Sequence, residues 1–193
     1  MKAHWLIGIV MAPGLFALPQ DCNVYVYVEN GVPMPVGMLL DAKAKTTQMF
    51  REIGINLRIR NGIPARDPSD VCTAPIVVEF ENSTGYRGNP NALAFAAPFK
   101  ESGTRIHVFL DRVLAHLNHE LAFSNTLLAH VMAHEITHVL EQTDRHSDEG
   151  LMKTSWTPQD HARMKRRPLP FAPEDVELIH QALAKRVSPP AAE

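Results

Sequence analysis

Short apolar stretches separated by turn residues fill the first half of the chain. Residues 55–60 alternate between apolar and polar, as half-buried strands do, and residues 24–29 are rich in the Val and Tyr that strands favour. Apolar positions at helical spacing predict a helix over residues 37–53, ending before Gly54. The patterns as a whole predict strands at residues 24–29, 55–60, 75–81 and 105–110, with a short segment at residues 92–98.

The second half of the chain is mainly helical. Residues 125–141 are apolar on almost every side and contain neither Gly nor Pro, which predicts a buried helix with Ser124 or Asn125 as its N-cap. Shorter helices are expected at residues 112–118, from Thr157, and at residues 172–186. This order of elements predicts an α/β protein (α+β in some schemes) with a mixed, mostly parallel five-stranded sheet and two long helices.

Length and charge fit one globular domain. A chain of 193 residues is long enough for one sizeable core, and we assign residues 18–187 to it. The formal net charge is −2, so electrostatics gives no reason to expect nucleic acid or a membrane surface as a partner. No stretch after residue 20 is apolar for long enough to span a bilayer. We expect the protein to be a monomer.

The N-terminal residues are typical of an export signal. Lys2 supplies a positive charge, and residues 5–18 are mostly apolar. We predict a signal peptide over residues 1–17, cleaved after Ala17, and hence a secreted or periplasmic protein. A buried or membrane-anchoring helix is the alternative for this segment. Residues 188–193 are predicted to form a mobile tail.

Two cysteines, Cys22 and Cys72, follow the predicted signal. An even number of cysteines in an exported chain suggests one disulfide. Each cysteine comes just before a predicted strand, so the two lie at the same end of the sheet if those strands are parallel neighbours. A pair of free, buried thiols is the other possibility.

The motif His-Glu-x-x-His lies within the long apolar helix. His134 and His138 are four residues apart, so they project from one face of the helix and can bind a single Zn²⁺, with Glu135 beside them. A buried helix would not carry these polar residues without partners, and a metal ion provides one. Eight residues of helix span about 12 Å, so His130 cannot share an ion with His138, and we expect it to be a hydrogen-bonded core residue.

Beyond the helix, the chain contains His146-Ser147 followed by Leu151-Met152. Together with the helical motif, this stretch resembles the metzincin clan of zinc endopeptidases, and within that clan the matrixin branch. It also resembles a group of short exported bacterial proteins regarded as predicted metalloproteases. The resemblance implies that His146 is the third zinc ligand and that Met152 forms the Met-turn beneath the site. It also implies an upper part of the domain to about residue 140 and a small helical lower part over residues 141–187.

The stretch departs from the metzincin pattern at two positions. Glu141 stands where the clan has a glycine, and Asp144 stands at the usual position of the third ligand. A carboxylate oxygen is an acceptable zinc ligand, so Asp144 is the alternative to His146. Without the glycine, the helix runs on slightly and the additional residues make the turn, which favours His146. A glutamate from a later helix, Glu174 or Glu177, is a further alternative.

The resemblance also implies an antiparallel edge strand above the cleft, which pairs with the substrate backbone. By position, this strand consists of Leu93, Ala94, Phe95, Ala96 and Ala97. An exposed edge offers unpaired N–H and C=O groups to an extended peptide, although it is equally what an ordinary edge strand looks like. Trp156, beyond the Met-turn, is a candidate wall of the pocket for the side chain that follows the cleaved bond, or else packs against the last helix.

These residues predict a secreted zinc endopeptidase acting on peptide or protein substrates. Zinc would activate a water molecule, and Glu135 would act as the general base. One alternative is a zinc-containing binding or scaffold protein without catalytic activity. Another is a zinc hydrolase that acts on an amide other than a peptide bond.

Overall fold

A computed structural model of the chain describes residues 22–64, 72–97, 104–116 and 121–187. The predicted signal peptide (1–17) and the predicted tail (188–193) lie outside these ranges, as does the end of the predicted 92–98 segment.

The five strands form one mixed sheet in the order β2-β1-β3-β5-β4. Strand β4 is antiparallel to β5, and every other neighbouring pair is parallel, so the predicted mostly parallel five-stranded sheet is confirmed. The registers pair Val26 with both Ile59 and Ile76 in the middle of the sheet. The strands are β1 (Asn23–Asn30), β2 (Asn56–Asn61), β3 (Ile76–Glu81), β4 (Ala94–Ala97) and β5 (Thr104–Phe109).

Five helices complete the described part of the chain. They are α1 (Met38–Glu52), α2 (Leu110–Ala115), α3 (Leu121–Glu141), α4 (Pro158–Met164) and α5 (Pro173–Val187). Strand β5 ends one residue before the predicted boundary, because Leu110 turns into α2 and is buried there.

Helix α3 begins earlier than the sequence predicted. The expected N-cap residues, Ser124 and Asn125, lie inside its first turns. Ser124 is buried, and the Asn125 side chain donates a hydrogen bond of 2.9 Å to the Asp41 carboxylate of α1. The polar side chains that suggested a helix start therefore serve contacts within the fold.

Helices α1 and α3 pack against each other and against the sheet, while α5 packs against α3. The Thr46 hydroxyl, fully buried in α1, shares its one proton between the Ala42 carbonyl of its own helix at 2.8 Å and the Ala129 carbonyl of α3 at 3.2 Å. Because α3 is enclosed by neighbours along most of its length, nearly every residue from 123 to 140 is buried.

Cys22 and Cys72 are joined by a disulfide, with their Cα atoms 5.4 Å apart. The bond links the start of β1 to the residues before β3, its parallel neighbour, and the Cys72 N–H donates to the Asn23 carbonyl at 3.1 Å. The cysteines are therefore bonded rather than free, which is compatible with export. Among the helical residues that the structure describes, no helix combines the length and apolarity needed to cross a membrane.

Candidate metal centre

Helix α3 holds the histidines and the glutamate of the motif on one buried stretch. His134, Glu135 and His138 have exposed fractions of 9%, 8% and 8%. The helical repeat brings His134 and His138 one turn apart, with ring centres separated by 4.7 Å.

The Nδ1 atoms of both histidines are bonded to main-chain carbonyl oxygens. His134 Nδ1 lies 3.0 Å from the Leu151 oxygen, and His138 Nδ1 lies 3.0 Å from the Thr143 oxygen. Because a carbonyl oxygen only accepts, each Nδ1 carries the proton, and Nε2 of the neutral ring is an unprotonated acceptor. The two Nε2 atoms lie 3.1 Å apart.

Two unprotonated nitrogens at this distance cannot hydrogen-bond to each other, and their lone pairs repel. Protonation does not resolve the conflict near neutral pH, since burial lowers the pKa of His134 to about 3 and that of His138 to about 4. A cation shared by both Nε2 atoms does resolve it. Imidazole nitrogens with carbonyl partners on their other ring atoms are a donor arrangement typical of metal-binding histidines, so these residues fit a transition-metal ion.

His146 completes the group from the loop that follows α3. Its ring centre lies 5.3 Å from that of His134 and 4.9 Å from that of His138. Within the described residues, these three histidines form the one group of at least three potential ligands that could hold a metal ion, with ligand atoms within 4.8 Å of one another.

The alternative third ligands lie elsewhere. Asp144 is exposed and borders the same cleft, but it does not belong to the three-histidine group. Glu174 pairs with Arg145 at 3.4 Å, and Glu177 accepts a hydrogen bond of 2.9 Å from Gln181. Both glutamates are exposed residues of α5, outside the group.

Irregular backbone turns the chain from α3 to His146 and back to Leu151, whose carbonyl contacts His134. The helix includes Glu141, which stands where the metzincin pattern has a glycine. Gln142 then adopts a left-handed conformation with φ of 56°, and the chain turns there. Gly150 has φ of 73°, and a Cβ there would overlap the Pro170 carbonyl oxygen. Met152 is fully buried, and its carbonyl accepts from the Ser147 N–H at 2.8 Å.

A buried carboxylate holds the residues on both sides of His146. Asp175 of α5 is fully buried; its Oδ1 accepts from the Arg145 guanidinium and, at 2.5 Å, from the Ser147 hydroxyl. Its Oδ2 accepts from the Ala172 N–H at 3.1 Å. Nothing in the local sequence around Asp175 indicates this network, although Asp175 lies in the predicted final helix, between the alternative ligands Glu174 and Glu177.

The three histidines border a cavity of about 620 Å³, with strand β4 on its other side. Residues 93–96 of the predicted edge strand line it, and Ala97 does not. Burial raises the pKa of Glu135 to about 8, although the Ala96 backbone N–H of β4 acts on the carboxylate in the opposite direction; a bound cation would lower the pKa again.

Trp156 forms part of the cavity wall, and His130 lies beside it in the core. Trp156 borders the cavity, lies edge-on to His134 and His130, and donates from Nε1 to the Leu151 carbonyl at 3.2 Å. His130 is fully buried and is bonded through Nδ1 to the Thr126 oxygen and through Nε2 to the Leu169 N–H. It is thus a hydrogen-bonded core residue.

Comparison of the chain with known proteins does not assign it to a family. No protein-family model matches the chain, and no curated protein matches it. The chemistry of the site therefore rests on its own residues, which are three imidazoles around one point, a buried carboxylate beside them, and an edge strand across the cavity.

Proposed function

We propose that the protein is a zinc-dependent endopeptidase of the metzincin type. The observation that carries the proposal is the pair of unprotonated Nε2 atoms of His134 and His138, which face each other at 3.1 Å beside Glu135. A merely structural helix would gain nothing from this arrangement, because it brings two acceptors together and buries a carboxylate next to them.

His134, His138 and His146 would hold the metal. Three protein ligands leave a fourth position open, as in catalytic zinc sites, whereas structural zinc sites use four. Bound zinc supplies a Lewis acid that polarises a carbonyl oxygen and makes water acidic enough to attack near neutral pH.

The chain itself binds the substrate and moves the proton. Strand β4 is at the edge of the sheet, so its free side can bind an extended peptide along the cleft. The Glu135 carboxylate accepts a proton from the attacking water and then donates it to the nitrogen of the departing amine. The reaction needs no covalent intermediate on the protein.

The matrixin-like features of the sequence support the same assignment. Met152 is buried on the turn that follows His146, and the Leu151 carbonyl of this turn orients His134. The predicted signal and the disulfide between Cys22 and Cys72 agree with an enzyme that acts outside the cytoplasm.

The test is hydrolysis of casein and of a quenched peptide by wild-type protein and by Glu135→Ala, with zinc content measured on the same samples. We expect one zinc per chain in both, chelator-sensitive cleavage in the wild type, and a loss of activity of at least about a hundredfold in the variant. Glu177→Ala, an exposed carboxylate of α5, is the control and should cleave normally.

Three results would overturn the proposal or part of it. Absence of zinc removes the metal site. Zinc without cleavage of any peptide favours a zinc-binding scaffold or a hydrolase for another amide. Unchanged turnover in Glu135→Ala removes this residue as the base.

A further inference from the structure

Two more histidines line the cavity, away from the motif. His116 caps the C-terminal end of α2, and His161 lies on α4. Both border the same cavity of about 620 Å³ as His134 and Glu135. The fold therefore brings a second pair of imidazoles, from elements far apart in the chain, into the cleft.

The rings of this pair are spaced like those of the metal centre. The centres of His116 and His161 are 5.1 Å apart, with ring planes at 89°. In the three-histidine group, the corresponding separations are 4.7, 4.9 and 5.3 Å. Two imidazoles at this separation can direct one nitrogen each at a common ion.

The ring nitrogens of His116 and His161 have no hydrogen-bond partner among the residues that the structure describes. His161 contacts the Phe123 ring edge-on at 5.8 Å, a contact that uses no lone pair. The neighbouring carboxylate of Asp160 is engaged by Thr157 and by Lys153, so it does not compete for the imidazoles. His116 is exposed and His161 half-buried, so an ion can reach them from the cleft.

We propose that His116 and His161 form a second site for a transition-metal ion, binding Zn²⁺ more weakly than the three-histidine centre. Imidazole suits Zn²⁺, and two protein ligands instead of three lower the affinity and leave positions for water. An ion held there occupies part of the cleft. If the proposed peptidase activity is correct, excess zinc therefore competes with the peptide and inhibits cleavage.

Binding is tested by calorimetric titration of Zn²⁺ into protein already loaded with one equivalent, using the Glu135→Ala background so that no hydrolysis interferes. We expect a second, weaker equivalent. His116→Ala and His161→Ala should each weaken it at least about tenfold, since even the outer-shell partners of ligands are worth about 10–100-fold. Thr154→Ala, at another position of the cavity wall, is the control and should bind the second equivalent normally.

The first zinc equivalent reports folding in each variant, and exposed His116 provides a test even if the His161 variant is unstable. Absence of a second equivalent, or a second equivalent unaffected by both substitutions, would overturn the proposed site. The inhibitory role is tested separately by peptide hydrolysis at rising zinc concentration. Relief of inhibition in His116→Ala supports it, and equal inhibition in wild type and both variants contradicts it. Because the titration needs no activity, failure of the peptidase assignment leaves the binding result decisive.

Discussion

The candidate metal centre combines two regions that are built differently. His134 and His138 lie on a buried α-helix, one turn apart, and each ring is fixed by a carbonyl oxygen. His146 is exposed and comes from the irregular loop after the helix. Its neighbours on both sides, Arg145 and Ser147, are held by Asp175 rather than by local secondary structure.

The difference shows that the positions of some site residues are fixed by local structure and those of others by tertiary contacts. The helical repeat alone fixes the relative positions of the first two candidate ligands, His134 and His138. The third depends on a carboxylate that lies 30 residues beyond Arg145 in the chain. We therefore expect substitutions in the helix to remove the metal, and substitutions in the network around the loop to weaken it.

The largest expected effect comes from the ligands themselves. His138→Ala and His146→Ala should each reduce zinc affinity by more than the roughly 10–100-fold typical of outer-shell residues. Asp144→Ala should have little effect, because Asp144 lies outside the group of ligand atoms. Zinc affinity measured by competition with a chromophoric chelator checks this ranking, and a larger loss in Asp144→Ala than in His146→Ala would assign the third ligand to Asp144.

The same contrast explains what the sequence could predict. Strand alternation and helical periodicity are local signals, and together with the order of the elements they predicted the mostly parallel sheet, helices α1 and α3 and the spacing of His134 and His138. The predicted start of α3 was wrong because Ser124 and Asn125 are residue types that favour an N-cap. In the fold, the Asn125 side chain instead donates a hydrogen bond to Asp41 of α1.

Tertiary roles leave weaker traces in a sequence. An aspartate in the first turn of a helix is usually a solvated residue that favours the helix dipole, and nothing local distinguishes the fully buried Asp175 from such a residue. Likewise, the sequence does not show why position 150 needs a glycine. The reason is visible only in the fold, where the Pro170 carbonyl lies against Gly150. The segment from His146 to Met152 pointed to a turn, but not to the carboxylate that holds it.

The next largest effect is expected from Asp175→Asn. The substitution keeps the shape of the side chain and removes the charge that binds Arg145 and Ser147, so the loop with His146 loses its anchor. Zinc affinity should fall by about 10–100-fold, as is usual for residues that orient ligands.

Glu174→Gln is the matched control for this prediction. Glu174 pairs with the same Arg145, but its side chain is 69% exposed, and surface ion pairs contribute only about 0–1 kcal/mol. The zinc affinity of the Glu174→Gln variant should stay within about twofold of that of the wild type. Equal affinities in Asp175→Asn and Glu174→Gln, with only the stability of the former reduced, would show that Asp175 supports the fold without positioning His146.

Gly150→Ala tests the turn that leads into Leu151, whose carbonyl contacts His134. Gly150 and Gly85 both have positive φ, but an added Cβ meets the Pro170 carbonyl only at Gly150 and nothing within 4 Å at Gly85. Each alanine should cost about 1–2 kcal/mol for the left-handed conformation, and Gly150→Ala should cost about 1–3 kcal/mol more for the overlap. Urea unfolding of the metal-free proteins measures both, and equal losses would mean that the turn moves away freely.

Glu141 joins the two regions as the last residue of α3. Both oxygens of its carboxylate are buried without a hydrogen-bond partner among the described residues. Burial, and next the charge of Asp175, raise the pKa of Glu141 to about 7, while Arg145 opposes the shift. The folded protein therefore binds a proton here that the unfolded chain has already lost, and stability contributed by the protonated form disappears as the pH rises from about 4.5 through 7.

The smallest expected effect follows from this loss of stability with rising pH. Glu141→Gln removes the buried charge, so it should stabilise the metal-free protein at pH 8 by about 1 kcal/mol or less, because the residue is only partly buried. The gain should shrink towards pH 5, where the wild-type carboxyl is already protonated in the folded state. Urea unfolding at both pH values, with exposed Glu177→Gln as the control, measures it. A gain of equal size at pH 5 and pH 8 would mean that the end of the helix is stabilised by the amide itself and not by loss of the charge.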